Sequence, residues 1–138
     1  MPPRRSDGLS LALLAVAALA GLAVWPSLPG ELAIHFDASG SPNNYVSKPV
    51  GVFLAPAIGV ATVAFVRYVP RFDPRPTDER VLDVTVVFLG ALIAYVQATV
   101  LAWNLGYRFD IAVVLGPVFA ATALLVAYAF HREGLGFR

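Results

Sequence analysis

The sequence predicts an all-α integral membrane protein, a bundle of four transmembrane helices with one ordered loop outside the membrane. Apolar residues make up 58% of the 138 residues and charged residues only 14%, whereas soluble domains have roughly 45–50% and about 25%. Four apolar stretches each have about the 20 residues that a bilayer core requires. The positive charges gather on one side of these stretches, and the three observations together define the fold class.

Composition also bounds the number of domains and the kinds of partner. One domain is expected at this length. The net charge of +1 comes without a basic stripe, so no nucleic-acid partner is predicted. The chain has no cysteine, which excludes disulfides, thiolate nucleophiles and thiolate metal sites.

The first span is predicted over residues 9–25, directly after Arg4 and Arg5. Two arginines followed by an apolar segment also begin a cleaved secretory signal. This apolar stretch is longer than the roughly 7–15 residues of a signal core, and no small-x-small cleavage site follows it. These features favour a membrane anchor over a cleaved signal.

The second span is predicted over residues 50–69 and contains Pro56. Proline leaves a helix carbonyl without its donor, and lipid tolerates such a break only where neighbouring helices cover it. The second helix is therefore expected to pack inside the bundle. Residues 67–80 contain three prolines and four arginines, so a cytoplasmic loop is predicted over residues 70–80.

The third span is predicted over residues 81–103 and the fourth over residues 111–130, joined by a short turn. Gln97 is expected to form a polar contact with a neighbouring helix; a place along a solute path is the alternative. Asp83 falls in the first turns of its helix, where a carboxylate is favoured by the helix dipole. A structural role for Asp83 is therefore preferred over the functional role that a deeply placed acid indicates.

Small residues recur at every fourth position in three of the spans. Such stripes let helix backbones approach closely in lipid, so we expect a tight bundle. The stripes are Gly51, Ala55 and Gly59; Gly90, Ala94, Ala98 and Ala102; and Ala112, Gly116 and Ala120.

The distribution of lysine and arginine predicts the orientation, because positive residues near span ends are retained in the cytoplasm. Eight of the ten basic residues fall on the side of both termini, whereas Lys48 and Arg108 fall on the other side. The sequence thus predicts a multi-pass protein of the cell membrane, with both termini cytoplasmic and an outer loop over residues 26–49.

The outer loop contains the residues that could carry chemistry. His35 and Asp37, with Asn43 or Asn44, offer metal-ligating atoms, but metal sites usually need three or four convergent ligands. Hydrogen bonds within the loop, with Asp37 as a turn former and Gly40 at positive φ, are the preferred interpretation. The serines of the loop lack a nucleophile elbow. We therefore expect no metal, no cofactor and no enzymatic activity.

Residues 28–49, LPGELAIHFDASGSPNNYVSKP, resemble the loop motif that opens the SdpI family of bacterial and archaeal membrane proteins. Ala33 stands where the family commonly has proline or threonine, and Asn44 where aspartate is common. Asp73 with Pro74, and residues 105–107, resemble two further turns of the family. The matching positions in the loop are Leu28, Pro29, Ile34, His35, Phe36, Asp37, Gly40, Asn44, Ser47 and Lys48.

The resemblance extends over residues 25–130 and corresponds to the N-terminal unit of SdpI-like immunity proteins. Full-length members continue with a further motif and two more helices, of which Gly136, Phe137 and Arg138 are at most a vestige. The chain is therefore expected to be a short form that lacks the C-terminal part of the family.

The resemblance implies immunity to, or sensing of, a secreted killing peptide. The outer loop is then the recognition surface for an extracellular peptide or a membrane partner. The protein itself is expected to be embedded in the lipid bilayer. A structural subunit of a membrane complex and a small transporter or channel component are the alternatives, and a homo-oligomer is left open. The predicted recognition residues are Pro29, His35, Phe36, Asp37, Gly40, Asn44, Ser47 and Lys48.

Overall fold

A computed structural model describes residues 4–72 and 77–134, without the side chains of residues 70 and 71. Within these ranges lie four helices that are long and apolar enough to cross a membrane. Each helix begins and ends within four residues of its predicted bounds. The helices are α1 Arg5–Ala23, α2 Lys48–Tyr68, α3 Glu79–Asn104 and α4 Ile111–Glu133.

Some of the sequence predictions fall outside the described residues. They are the turn at Asp73 and Pro74, residues 73–76 of the predicted loop over residues 70–80, and the C-terminal Gly136, Phe137 and Arg138. The structure therefore describes the bundle and its hairpin.

The segment between α1 and α2 forms a β-hairpin, so the all-α prediction is wrong here. Strand β1, Glu31–Phe36, pairs antiparallel with strand β2, Pro42–Ser47. In β1, apolar residues at alternate positions are typical of a half-buried strand. In β2 the sequence PNNYVS contains proline and two asparagines, which strands disfavour. Pairing with β1, rather than its own propensity, therefore makes β2 a strand.

Pro56 lies inside α2 and leaves the carbonyl of Val52 without its helical donor. The side chain of Gln97, which is buried in α3, covers this break. Its Nε2 atom donates to the carbonyl oxygens of Gly51 at 3.1 Å and Val52 at 3.0 Å. The amide is thus engaged by the backbone of α2, which explains how a kinked helix is accommodated in the interior of the bundle.

Two glycines set the closest approaches between the first three helices. Gly59 of α2 packs against Leu14 of α1, and Gly90 of α3 packs against Ser10 of α1, so that an added Cβ would overlap these neighbours. Gly116 of α4 is different, because an added Cβ would meet no atom there. The stripes of α2 and α3 are therefore used in packing at Gly59 and Gly90, whereas Ala98 of the α3 stripe and all three residues of the α4 stripe are exposed.

Charged side chains join the helices at the end of the bundle opposite the hairpin, which we call the arginine end. The guanidinium of Arg67, at the end of α2, lies 2.5 Å from Asp7 Oδ1 and 2.6 Å from Asp83 Oδ1. Its Nη2 atom also donates to Ser6 Oγ at 2.6 Å, and that hydroxyl donates to Asp83. Asp83 is thus held by an ion pair and a hydrogen bond near the start of its helix, as expected for a structural role.

Helix α4 is the least integrated of the four. Among the described elements it contacts only α3, and none of its described residues is buried. The Tyr95 hydroxyl of α3 donates to the carbonyl of Val114, one turn before Pro117. A cleft lies between α3, α4 and the hairpin.

Candidate functional site

The hairpin is fastened to the bundle by one buried leucine. Leu32 of β1 is completely buried and packs with Leu28, Val52 and Leu101. It rests on Gly51 of α2, where no side chain larger than hydrogen fits without a shift. Burial of a leucine contributes about 1.5–3 kcal/mol, so this contact provides the apolar part of the docking.

The polar part of the docking comes from Asn104, the last residue of α3. Its Oδ1 atom accepts the backbone N–H of Ala33 at 2.9 Å, and its Nδ2 atom donates to the Ala33 carbonyl at 2.9 Å. Nδ2 also donates to the Val100 carbonyl within α3, which holds the amide in place. Ala33 is itself buried, so both of its backbone groups need this partner.

Sequence reasoning missed Asn104, since an asparagine at a helix end is ordinarily interpreted as a local cap. Because β1 belongs to a two-stranded sheet, the backbone groups on its outer edge need a partner from outside the sheet. That need becomes visible only once the strand itself is recognised.

The tip of the hairpin is organised by Asp37. Its Oδ1 atom accepts from the backbone N–H of Ser39 at 2.8 Å and of Ser41 at 3.0 Å, and from the Ser39 hydroxyl at 2.6 Å. The hydrogen bond from the Ser39 side chain, together with the backbone N–H groups, lowers the pKa of Asp37 below its ordinary value. Gly40 has φ +81°, which confirms the predicted turn.

His35 lies beside this tip and is exposed. Its Nδ1 atom is 2.6 Å from Asn43 Oδ1 and forms a hydrogen bond with it. The ring is thus held to the opposite strand through one of its two nitrogens. In the strand register His35 stands opposite Asn44, next to an irregularity in the ladder.

Lys48 closes the base of the hairpin rather than its tip. Its ammonium donates to the carbonyl of Trp25 at 3.1 Å and lies 5.5 Å from the centre of the Trp25 ring. Its backbone N–H donates to the carbonyl of Gly30. Ser47 pairs with Glu31 at the same level. The position of Lys48 is thus explained by contacts within the molecule.

The structure therefore places the predicted recognition residues at three levels of the hairpin. The tip group, His35, Phe36, Asp37 and Gly40, lies near α3 and α4. Asn44 is exposed midway along β2, and the remaining residues, Pro29, Ser47 and Lys48, lie at the base. Gln97, predicted as a contact within the bundle, lies below the hairpin against α2.

Aromatic rings connect the tip to the ends of the helices. The ring of Phe36 meets that of Trp103 edge to face at 4.9 Å, and the ring of Phe109 also meets Trp103 edge to face at 5.7 Å. The guanidinium of Arg108 lies 4.4 Å from the centre of the Trp103 ring. These contacts fix the tip beside the start of α4.

A cleft of about 450 Å³ lies between the tip, α3 and α4. Its walls are apolar except for Thr99 of α3, and exposed polar residues of the hairpin, His35 and Asp37, also line it. A cavity of this size with a few polar groups is typical of a ligand site. The apolar lining residues are Ile34, Phe36, Ala38, Val96, Val100, Ile111, Val114 and Leu115.

Metal binding has little support in this arrangement. Across residues 4–72 and 77–134, no group of three or more histidine, cysteine or acidic side chains is arranged to hold a metal ion. Asp37 and His35 instead form hydrogen bonds with Ser39 and Asn43 of the hairpin itself. The site offers binding surfaces and hydrogen-bond acceptors.

Four long apolar helices, joined by a hairpin at one end and by ion pairs at the other, indicate a multi-pass membrane protein.

Residues 12–60, about a third of the chain, match a family described as a domain of unknown function, DUF1648, which is found in SdpI-like membrane proteins. The matched segment contains most of α1, the whole hairpin and the first half of α2. No curated protein and no solved structure matches the chain.

Proposed function

We propose that this protein is an SdpI-like immunity or sensing protein that uses its hairpin to recognise an extracellular peptide. The observation that carries the proposal is the docking of the hairpin. Leu32 and Asn104 fix it to the bundle, while His35, Asp37 and Asn44 remain exposed. A surface held in one conformation before binding loses little entropy on binding, so this rigid hairpin suits recognition. The proposal assigns binding and no catalysis.

The proposal places the hairpin outside the cell and both termini in the cytoplasm. The basis is the charge distribution: Arg4, Arg67 and Arg132 lie at the arginine end, whereas Lys48 and Arg108 lie at the hairpin end. Positive residues favour the cytoplasmic side.

The absence of cysteine allows a clean test of this orientation. In intact cells a membrane-impermeant maleimide is expected to label a Tyr45→Cys variant, and to label a Thr77→Cys variant only after lysis. The reverse pattern refutes the orientation.

Recognition is tested by survival of sensitive cells that express the protein and are challenged with a secreted killing-peptide preparation. We expect the double variant His35→Ala and Asn44→Ala to lose protection at unchanged membrane abundance, because both side chains are exposed on the hairpin. Lys48 is left intact because it ties the hairpin base. Glu31→Gln, an exposed change at that base, is the matched control. Full protection by the double variant removes the hairpin from the mechanism.

A second candidate function is a structural subunit of a larger membrane complex. It is favoured by α4, whose apolar side chains are unburied and which contacts only α3 among the described elements. Copurification in mild detergent separates the two candidates. A stoichiometric membrane partner without a peptide phenotype supports the subunit. A transporter has less support, because Gln97 is engaged by the backbone of α2.

A further inference from the structure

We infer that the cleft between the hairpin tip, α3 and α4 binds the apolar face of a cationic amphipathic peptide. This inference rests on the proposed function and specifies the site and the chemistry of the peptide. Three features of the cleft carry it: its depth, the polarity of its mouth and the sign of the charge there.

The cleft descends from the hairpin end into the membrane-spanning part of the bundle. Val96 lies eight residues before Asn104 in α3, which corresponds to about 12 Å of helix. On the opposite wall Leu115 lies in the second turn of α4. Val96 is 45% exposed and Leu115 is 40% exposed, so the walls are open to the side. An apolar group can therefore enter from the membrane boundary as well as from above.

The mouth of the cleft presents a carboxylate, that of Asp37, beside the ring of His35. An ionised carboxylate accepts hydrogen bonds only. A group that binds to this carboxylate must therefore be a donor, and a lysine ammonium or arginine guanidinium also carries the charge that complements it.

The same charge argues for a peptide rather than a phospholipid. A phospholipid headgroup carries a phosphate, which the Asp37 carboxylate repels. A peptide can place a cation at the mouth without an accompanying anion and insert leucine-like side chains into the cleft. Apolar side chains below and a cationic residue above are the two halves of an amphipathic segment.

The test uses the full chain in phosphatidylcholine nanodiscs and a synthetic amphipathic helix of leucine and lysine that carries one benzophenone. We expect crosslinks to α3 and α4 around the cleft, and binding about tenfold weaker for the same peptide with glutamate in place of lysine, equivalent to about 1.4 kcal/mol. Leu115→Trp, which fills the cleft, and Asp37→Asn, which keeps the turn acceptor but removes the charge, are each expected to weaken binding similarly. Leu124→Trp, on an exposed part of α4 away from the cleft, is the matched control and is expected to bind normally.

Several outcomes overturn the inference. Equal binding of the glutamate peptide refutes the charge argument, and unchanged binding by Leu115→Trp refutes the site. A phospholipid retained in the cleft through purification, and absent from Leu115→Trp, assigns the cleft to lipid instead. The survival assay separates the cleft from the hairpin. If the double variant of His35 and Asn44 loses protection while Leu115→Trp and Asp37→Asn keep full protection, the cleft is refuted as the binding site but recognition by the hairpin is retained. Full protection by every variant refutes the proposed function itself.

Discussion

Replacement of Asn104 by leucine is expected to release the hairpin from the bundle. The variant removes the partner of two backbone groups of Ala33, which is buried. Each buried group left without a partner costs about 1–3 kcal/mol, so the pair costs about 2–6 kcal/mol. Burial of Leu32 contributes about 1.5–3 kcal/mol in the opposite direction. The loss is of the same size as the apolar contribution or larger than it over most of these ranges, so the population of the undocked hairpin rises.

Hydrogen exchange at the Ala33 amide measures this release. In the wild type its hydrogen bond goes to Asn104, so the exchange rate reports docking directly. A loss of about 2 kcal/mol corresponds to roughly 30-fold faster exchange, because 1.4 kcal/mol is a factor of ten. Asn104→Asp is expected to fall between the wild type and the leucine variant, since it keeps the acceptor for the Ala33 amide and loses the donor.

The matched control is Asn44→Leu, which changes an asparagine on the exposed face of the hairpin. It is expected to leave exchange at Ala33 unchanged. If Asn104→Leu exchanges at the wild-type rate, the side chain of Asn104 does not hold the hairpin, and Leu32 alone accounts for the docking.

Three further predictions follow from the same structure. Gln97→Leu leaves the Val52 carbonyl, which has no helical donor because of Pro56, without a hydrogen-bond partner and is expected to lower the free energy of unfolding by about 1–3 kcal/mol; thermal unfolding in detergent measures this, with Thr122→Val, whose hydroxyl bonds within α4, as the control. Because hydrogen bonds to the carboxylate lower the pKa of Asp37, its stabilisation of the turn is complete above the ordinary value of 3.8 and is lost as the pH falls through the lower folded value. The protection of the turn amides, taken relative to the intrinsic exchange rate at each pH, is expected to fall in that acidic range, and an Asp37→Asn variant that keeps the same pH dependence contradicts this assignment. Gly90→Ala is expected to destabilise the bundle by about 1–3 kcal/mol, because its methyl group overlaps α1, whereas Gly116→Ala, which meets open space, is expected to be neutral in the same unfolding measurement.

The helices could be predicted from the sequence because their signal is local. A run of about 20 apolar residues is sufficient to indicate a span, and the break at Pro56 correctly indicated that α2 needs cover from its neighbours. The hydrogen bonds of Gln97 supply that cover. The sequence pattern identified the break and the amide separately, without indicating that one satisfies the other.

The hairpin and its docking could not be predicted in the same way. Strand β2 is rich in residues that avoid strands, and it forms through pairing with β1 and through the turn at Asp37. The contact between Asn104 and Ala33 joins residues 71 positions apart. Such contacts depend on the relative placement of α3 and the hairpin, which local periodicity does not specify.

The loose attachment of α4 has a consequence for biogenesis. The contacts that dock the hairpin, those of Leu32 and Asn104, and the ion pairs of Arg67 involve no residue of α4. During translation all of their residues leave the ribosome before α4 does, so a complete three-helix unit can assemble first and receive the last helix afterwards. Mutations in α4 can then change the width of the cleft between α3 and α4 during evolution. The order of assembly and the docking of the hairpin through Leu32 and Asn104 stay the same.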